Sequence, residues 1–217
     1  MAEFTIYIGN KNYSSWSLRA WLMAKASGID FDEVLIPLWQ DETRAELLRH
    51  SPSGKVPALR HGGVTVWESL AIGEYLAEQR PAARLWPKDS AARAIARAIS
   101  HEMHAGFVNL RRELPMNMRA RVEGRKVARE VTVELDRILG MWRDCRLRFG
   151  VGGEFLFGGF TIADAMYAPV VSRLRTYGIA LDGEARAYAD AVWSYPTLKE
   201  WDAAARAEPM VAEQFEF

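Results

Sequence analysis

A small mixed α/β sheet domain followed by an all-helical domain is the fold class that this sequence predicts. Three observations carry it. The first 80 residues alternate short β-rich runs with helical periodicities and close on a hairpin pattern. Beyond residue 90 the apolar residues recur only at helical spacing. Between the two regions lie Pro81 and Pro87, and near residue 88 the composition turns rich in Ala, Arg and Glu. The expected organisation is a first domain over residues 1–80, a connection over 81–90 and a helical domain over 91–217.

Taken in order, Phe4-Thr5-Ile6-Tyr7-Ile8 alternates and is β-branched and aromatic, so it reads as a strand. Gly9-Asn10-Lys11-Asn12 is turn chemistry. Over residues 15–26, Trp16, Ala20, Met23 and Ala24 recur at helical spacing, with Gly28 as the stop. Residues 31–38 read as a second strand and 42–50 as a short helix. Residues 56–59 and 64–67 read as strands joined through His61-Gly62-Gly63, and 69–79 as a helix. Helical patterns follow over 91–112, 122–148, 161–177, 184–193 and 197–207.

Composition excludes several classes of function. Lys+Arg and Asp+Glu number 28 each in 217 residues, so no net field favours nucleic acid or an anionic membrane. The N-terminal MAEFTIYIGN lacks the layout of a secretory signal, and no apolar run approaches the roughly 20 residues of a membrane span. One cysteine, Cys145, supports neither an intrachain disulfide framework nor a cysteine-based zinc cluster. These features predict a cytoplasmic location. Eight tryptophans are many for this length and read first as packing.

Two stretches carry chemistry. Lys55-Val56-Pro57-Ala58-Leu59 opens a short strand on a proline, a candidate cis bond that turns the backbone of Val56 outward to pair with an extended peptide. Glu68 and Ser69 stand at a strand-to-helix corner, where a hydroxyl and free amides can hold a carboxylate while Glu68 accepts from an ammonium. With Leu70-Ala71-Ile72-Gly73-Glu74-Tyr75-Leu76 after them, these residues resemble the glutathione-site signature of the glutathione transferases. Asn12-Tyr13-Ser14-Ser15-Trp16-Ser17-Leu18-Arg19 is similar to the catalytic loop of their zeta class, Ser-Ser-Cys-Ser-Trp-Arg, with Trp16 in place of the cysteine. Gly158-Gly159-Phe160-Thr161-Ile162-Ala163-Asp164 with Pro169 resembles the family's buried capping box and extends the likeness to the helical half.

The resemblance implies a thioredoxin-like first domain and glutathione as co-substrate, held by Lys55, Val56, Pro57, Glu68 and Ser69. It places the hydroxyl that stabilises the glutathione thiolate on Ser14, with Ser15 beside it. The same serines also fit N-capping of the first helix, and local sequence leaves both roles open. A hydrophobic electrophile would lie against the helical domain, near Trp16, His104 and Phe107, and the protein would be a homodimer. Trp16 puts the zeta-class maleylacetoacetate isomerase reaction in doubt, so that isomerase is the nearest alternative and a non-catalytic adaptor the second. His101 and His104 are one helical turn apart with no third ligand, so they read as cleft or surface histidines, with no metal. Cys145 reads as inert, and Arg173 and Arg175 lie within a residue of the position where zeta isomerases hold substrate carboxylates.

Overall fold

The computed structural model describes residues 2–122 and 124–216. Its order is β1 (Phe4–Ile8), α1 (Ser15–Ser27), β2 (Phe31–Leu35), α2 (Thr43–His50), β3 (Ala58–His61), β4 (Val64–Trp67) and α3 (Ser69–Gln79). A 3-10 turn over Pro81–Ala83 leads to α4 (Ser90–Ala105), α5 (Val108–Glu113), α6 (Arg129–Phe149), α7 (Ile162–Thr176), α8 (Gly183–Ser194) and α9 (Pro196–Ala207). The sheet runs β2-β1-β3-β4, with β1 parallel to β2 and antiparallel to β3. All five residues of β1 are buried, as a central strand covered on both faces requires. Among the described residues no helix is long and apolar enough to cross a membrane, and no group of three or more His, Cys, Asp or Glu could hold a metal ion.

Local signals explain most boundaries. Gly28 stops α1 in the left-handed conformation, its N–H bonded to the Lys25 carbonyl. The third strand begins at Ala58, later than the expected 56, because cis Val56–Pro57 precedes the ladder and Pro57 has no N–H to give it. The helix expected over 91–112 is two helices. Gly106 ends α4, Phe107 takes a left-handed φ of 56°, and Arg111 Nη1 donates back to the Met103 and His104 carbonyls that the break exposes. The helix expected from 122 begins at Arg129; the amide of Val122 instead donates to the Thr176 carbonyl, and Glu123 lies outside the described residues.

One hydrophobic core runs through both halves of the chain. Gly73 lets α3 approach closely, since a Cβ there would stand 2.7 Å from Met23 Sδ and 3.2 Å from Ile162 Cδ1. Three tryptophans, Trp21, Trp142 and Trp201, are fully buried, the packing role expected of this residue type. The start of α7 is fixed by Asp164, whose carboxylate accepts from Leu156 N (3.1 Å), Thr161 N (2.8 Å) and Thr161 Oγ1 (2.9 Å).

Burial pushes the Asp164 carboxyl up to about 6, against the lowering effect of those hydrogen bonds. The folded protein therefore binds more proton than the unfolded chain between about pH 4 and pH 6, and Asp164's contribution to stability falls as pH rises through that window. Comparing urea unfolding of wild type and Asp164→Asn should show this. The variant should be about 2–4 kcal/mol less stable near pH 4, where its carboxamide leaves backbone donors unmet. That deficit should shrink between pH 4 and 6.

Candidate functional site

The loop after β1 is built by side-chain and backbone hydrogen bonds rather than by regular structure. Asn10 O accepts from Tyr13 N (3.2 Å) and Ser14 N (2.8 Å), which turns the chain into α1. Ser14 then caps that helix. Its Oγ accepts from Ser17 N (3.4 Å) and donates to Ser17 Oγ (2.8 Å), and Ser17 Oγ also accepts from Gly9 N (2.9 Å). Ser15 is buried to the same degree as Ser14, each 7% exposed, but its hydroxyl has no partner among the described residues. Both serines line an apolar cavity of about 260 Å³ with Trp16, Trp39, Lys55 and Val56.

Next to it, a cavity of about 360 Å³ is lined by Lys55, Val56, Pro57, Glu68 and, from the helical half, His104. Glu68 has a left-handed φ of 80°, a strained setting for a side chain with a Cβ. Its carboxylate accepts from Leu70 N (3.3 Å) at the head of α3 and stands 3.4 Å from His104 Nδ1. Ser69, the first residue of α3, is fully buried, and its Oγ has no hydrogen-bond partner among the described residues. A buried hydroxyl left unpaired at a helix N-terminus fits an anionic group there. Trp16 joins the two cavities, its ring 5.1 Å from His104.

A third cavity of about 220 Å³ shares Tyr13, Ser15 and Trp16 with the first and adds Arg111, Arg173 and Phe215. Among the described residues no carboxylate lines it. Arg173 is 3% exposed and donates to the Leu114 carbonyl (2.8 Å); burial, then repulsion from Arg111, brings its guanidinium down to about 10. Arg19 lies beneath Trp16, 4.3 Å from the ring, and is fully buried. Nε bonds to the Met166 carbonyl (3.0 Å), while Nη1 and Nη2 have no partner. Burial holds Arg19 well below the usual guanidinium range, and repulsion from Arg173 and Arg111 adds to it. Arg111 and Arg173 thus bring two guanidinium groups to this wall, with Arg19 close behind the Trp16 ring. Arg175, by contrast, stacks on Trp193 and lines a separate cavity of about 400 Å³ with Gly178 and Leu181.

With the geometry in hand, the chain can be set beside known proteins. Residues 13–79 match the family glutathione S-transferase, N-terminal domain, and residues 121–204 match glutathione S-transferase, C-terminal domain. A Caenorhabditis elegans protein described as a probable maleylacetoacetate isomerase is 30% identical over 171 residues, 77% of each chain. The chain belongs to the glutathione transferase superfamily. The maleylacetoacetate isomerases of rat and mouse are 40% identical over 105 residues, a stretch that spans about half of each, 48% of their length. Among solved structures, a Burkholderia glutathione transferase homologue with bound glutathione superposes with a TM-score of 0.72 at 24% identity, covering 94% of this chain and 99% of that one. A glutathione S-transferase from the Antarctic clam Laternula elliptica gives 0.69 at 21% identity, covering 95% of both.

In this member of the superfamily the expected site residues line neighbouring cavities. Lys55, Val56, Pro57 and Glu68 line one cavity, and Ser69 is buried at the head of the helix that follows Glu68; Ser14 and Ser15 line the next. His104, expected against the second substrate, lines a cavity with both Glu68 and Trp16. Phe107 does not reach the cleft: at 7% exposure it belongs to the core, turned inward by the break between α4 and α5. Arg19, Arg111 and Phe215 escaped the sequence reading. Arg19 left one usable sign, standing three residues after Trp16 on one face of α1.

Cys145, also in the core at 1% exposure, has its thiol pushed up to about 12 by burial. A disulfide reagent at pH 8 should modify native protein at least about a hundredfold more slowly than the urea-unfolded chain, which should titrate one thiol.

Proposed function

We propose that this chain is an enzyme that binds glutathione and activates its thiol for attack on a small electrophile. The observation that carries the reading is the buried, unpaired Ser69 hydroxyl beside Glu68 at the head of α3, in line with cis Val56–Pro57 and Lys55. The γ-glutamyl carboxylate takes Ser69 Oγ and the first amides of α3, its ammonium meets Glu68, the peptide pairs with Val56, and Lys55 meets the glycyl carboxylate. The sulfur then falls toward Ser14 and Ser15 in the adjoining cavity. Ser14 donates to it once the hydroxyl pair inverts: Ser17 Oγ, already accepting from Gly9 N, gives its proton to Ser14 Oγ, and Ser14's own proton is freed for the thiolate. In this reading residues 1–80 form the glutathione half and 91–217 the second-substrate half of a cytoplasmic homodimer. Sedimentation at micromolar concentration should give twice the chain mass of 24.5 kDa.

A second reading has its own observation. Arg111 and Arg173 face a cavity that touches Ser15 and that no carboxylate lines among the described residues. That arrangement favours a carboxylate-bearing second substrate and keeps a glutathione-dependent isomerase of the maleylacetoacetate type in play. Turnover of halo-aromatics set against maleyl compounds separates the two readings.

Ser69→Ala should raise KM for glutathione about tenfold with kcat less affected, since its contact is the same in ground and transition states. Unchanged glutathione affinity by calorimetry would reject the assignment. Ser14→Ala should keep affinity but raise the pKa of bound glutathione by roughly one to two units, because a hydrogen bond to a charged group is worth about 1.5–3 kcal/mol. Turnover at neutral pH should fall about ten- to a hundredfold and recover as pH rises. A pKa moved by Ser15→Ala alone would transfer the donor role to Ser15. A wild-type thiol with no lowered pKa would favour a non-catalytic adaptor.

A further inference from the structure

The loop that carries Ser14 is laced to residues 208–216, and Arg119 ties the lacing together. Lys11 N donates to Glu208 Oε2 (2.6 Å), and the Tyr13 hydroxyl bonds to Glu216 and accepts from Ala212 N (3.2 Å). Arg119 forks between them: Nη1 donates to the Glu208 carbonyl (2.7 Å), Nη2 to the Met210 carbonyl (3.0 Å) and to Tyr13 Oη (2.9 Å). Asn117 Nδ2 completes the clamp at the Phe215 carbonyl (3.0 Å). The ring so held stands 5.9 Å from Tyr13 and 5.1 Å from Trp39, and it lines the same cavity as Ser15 and Trp16.

We propose that Phe215 is a specificity-determining residue for the second substrate, and that Arg119 and Glu216 are positioning residues that hold it in the cavity wall. The proposal rests on the reading of a glutathione site with its sulfur near Ser14 and Ser15. Three points support it. Phe215 is half-buried, lines the cavity and packs on two aromatic rings, tilted at 34° to Tyr13 and at 68° to Trp39, so it offers apolar surface to whatever is joined to the sulfur. Nothing within residues 213–216 packs as a helix face, so the ring's position depends on polar anchors rather than on a core. Those anchors converge on Tyr13, which lines both the serine cavity and the arginine cavity. The wall and the loop bearing Ser14 therefore move as one unit.

Equilibrium binding tests this without a known electrophile. Calorimetry would compare glutathione with S-hexylglutathione, whose apolar chain begins at the sulfur, in wild type, Phe215→Ala, Arg119→Lys and Glu216→Gln. Wild type should bind the hexyl compound more tightly than glutathione. Phe215→Ala should hold glutathione within about twofold and lose about five- to tenfold of the hexyl advantage, as expected when an apolar chain loses an aromatic wall. Arg119→Lys keeps the charge but not the fork, and should lose part of that advantage, as should Glu216→Gln. Combined with Phe215→Ala, neither should lose more, because each acts through the ring. A full hexyl advantage in Phe215→Ala, or additive losses in the double variants, would overturn the proposal. So would a wild type that binds glutathione but prefers the hexyl compound no better. Wild type that binds no glutathione at all would instead defeat the reading on which the proposal rests, and the proposal with it.

Discussion

The contact of α1 with α7 is the constraint from which the cleft follows. These helices come from different halves of the chain, and the side of α1 opposite the sheet is seated on a helix whose own start is fixed by Asp164. Arg19 Nε reaches across to the Met166 carbonyl, and Gly73 brings α3 close to both helices. Because α1 begins at the Ser14 cap, and Trp16 and Arg19 lie on its first turns, setting α1 against α7 places the serines, the indole and the guanidinium together. Three cavities then open around Trp16 without any element moving.

The electrostatics of the cleft are unusual for the interior of a protein. A guanidinium that keeps its charge while buried costs several kcal/mol unless paired, and here Arg19 and Arg173 are paired to backbone carbonyls and not to carboxylates. Arg111 adds a third positive charge and is itself tied to carbonyls of α4. Trp16 partly offsets the cost, since its ring faces Arg19 at 4.3 Å and Arg111 at 5.5 Å. The result is a site preset for negative charge on one side of Trp16. On the other side lie the N-terminus of α3 and the buried Ser69 hydroxyl.

Much of the fold was legible because the local signals were short-range. Alternation gave β1, Gly28 the end of α1, and the Gly62-Gly63 turn the β3–β4 hairpin. The proline of the glutathione-site motif marked the cis bond. What escaped was set by longer-range packing. The apolar period over 91–112 reads as one helix, but the chain breaks at Gly106 and Phe107, and Phe107 was misplaced as a consequence. The approach of His104 to Glu68 at 3.4 Å depends on how α4 turns against the first half of the chain, which no local spacing gives. Arg19 stood in the loop motif and three residues after Trp16, but only the fold decides whether an arginine of α1 meets water or α7. Phe215 lies two hundred residues from Ser15 in sequence, beyond the reach of any periodicity.

The lacing of the loop after β1 has a kinetic meaning. Asn12 pairs with Asn117 at a separation of 105 residues, and Tyr13 with Glu216 at 203. Contacts of such span carry the full entropy of closing a long loop and are made late in folding. A nascent chain can complete its sheet and α1 while the loop that carries Ser14 still lacks its fasteners, and it gains them only when residues 208–216 have been synthesised and have returned to the start. The same reasoning holds in reverse. The strap is a short irregular segment with half-exposed anchors, so it belongs to the low-stability end of the molecule and opens before the core does. The loop bearing Ser14 is thus fully fastened only once residues 208–216 are seated on it.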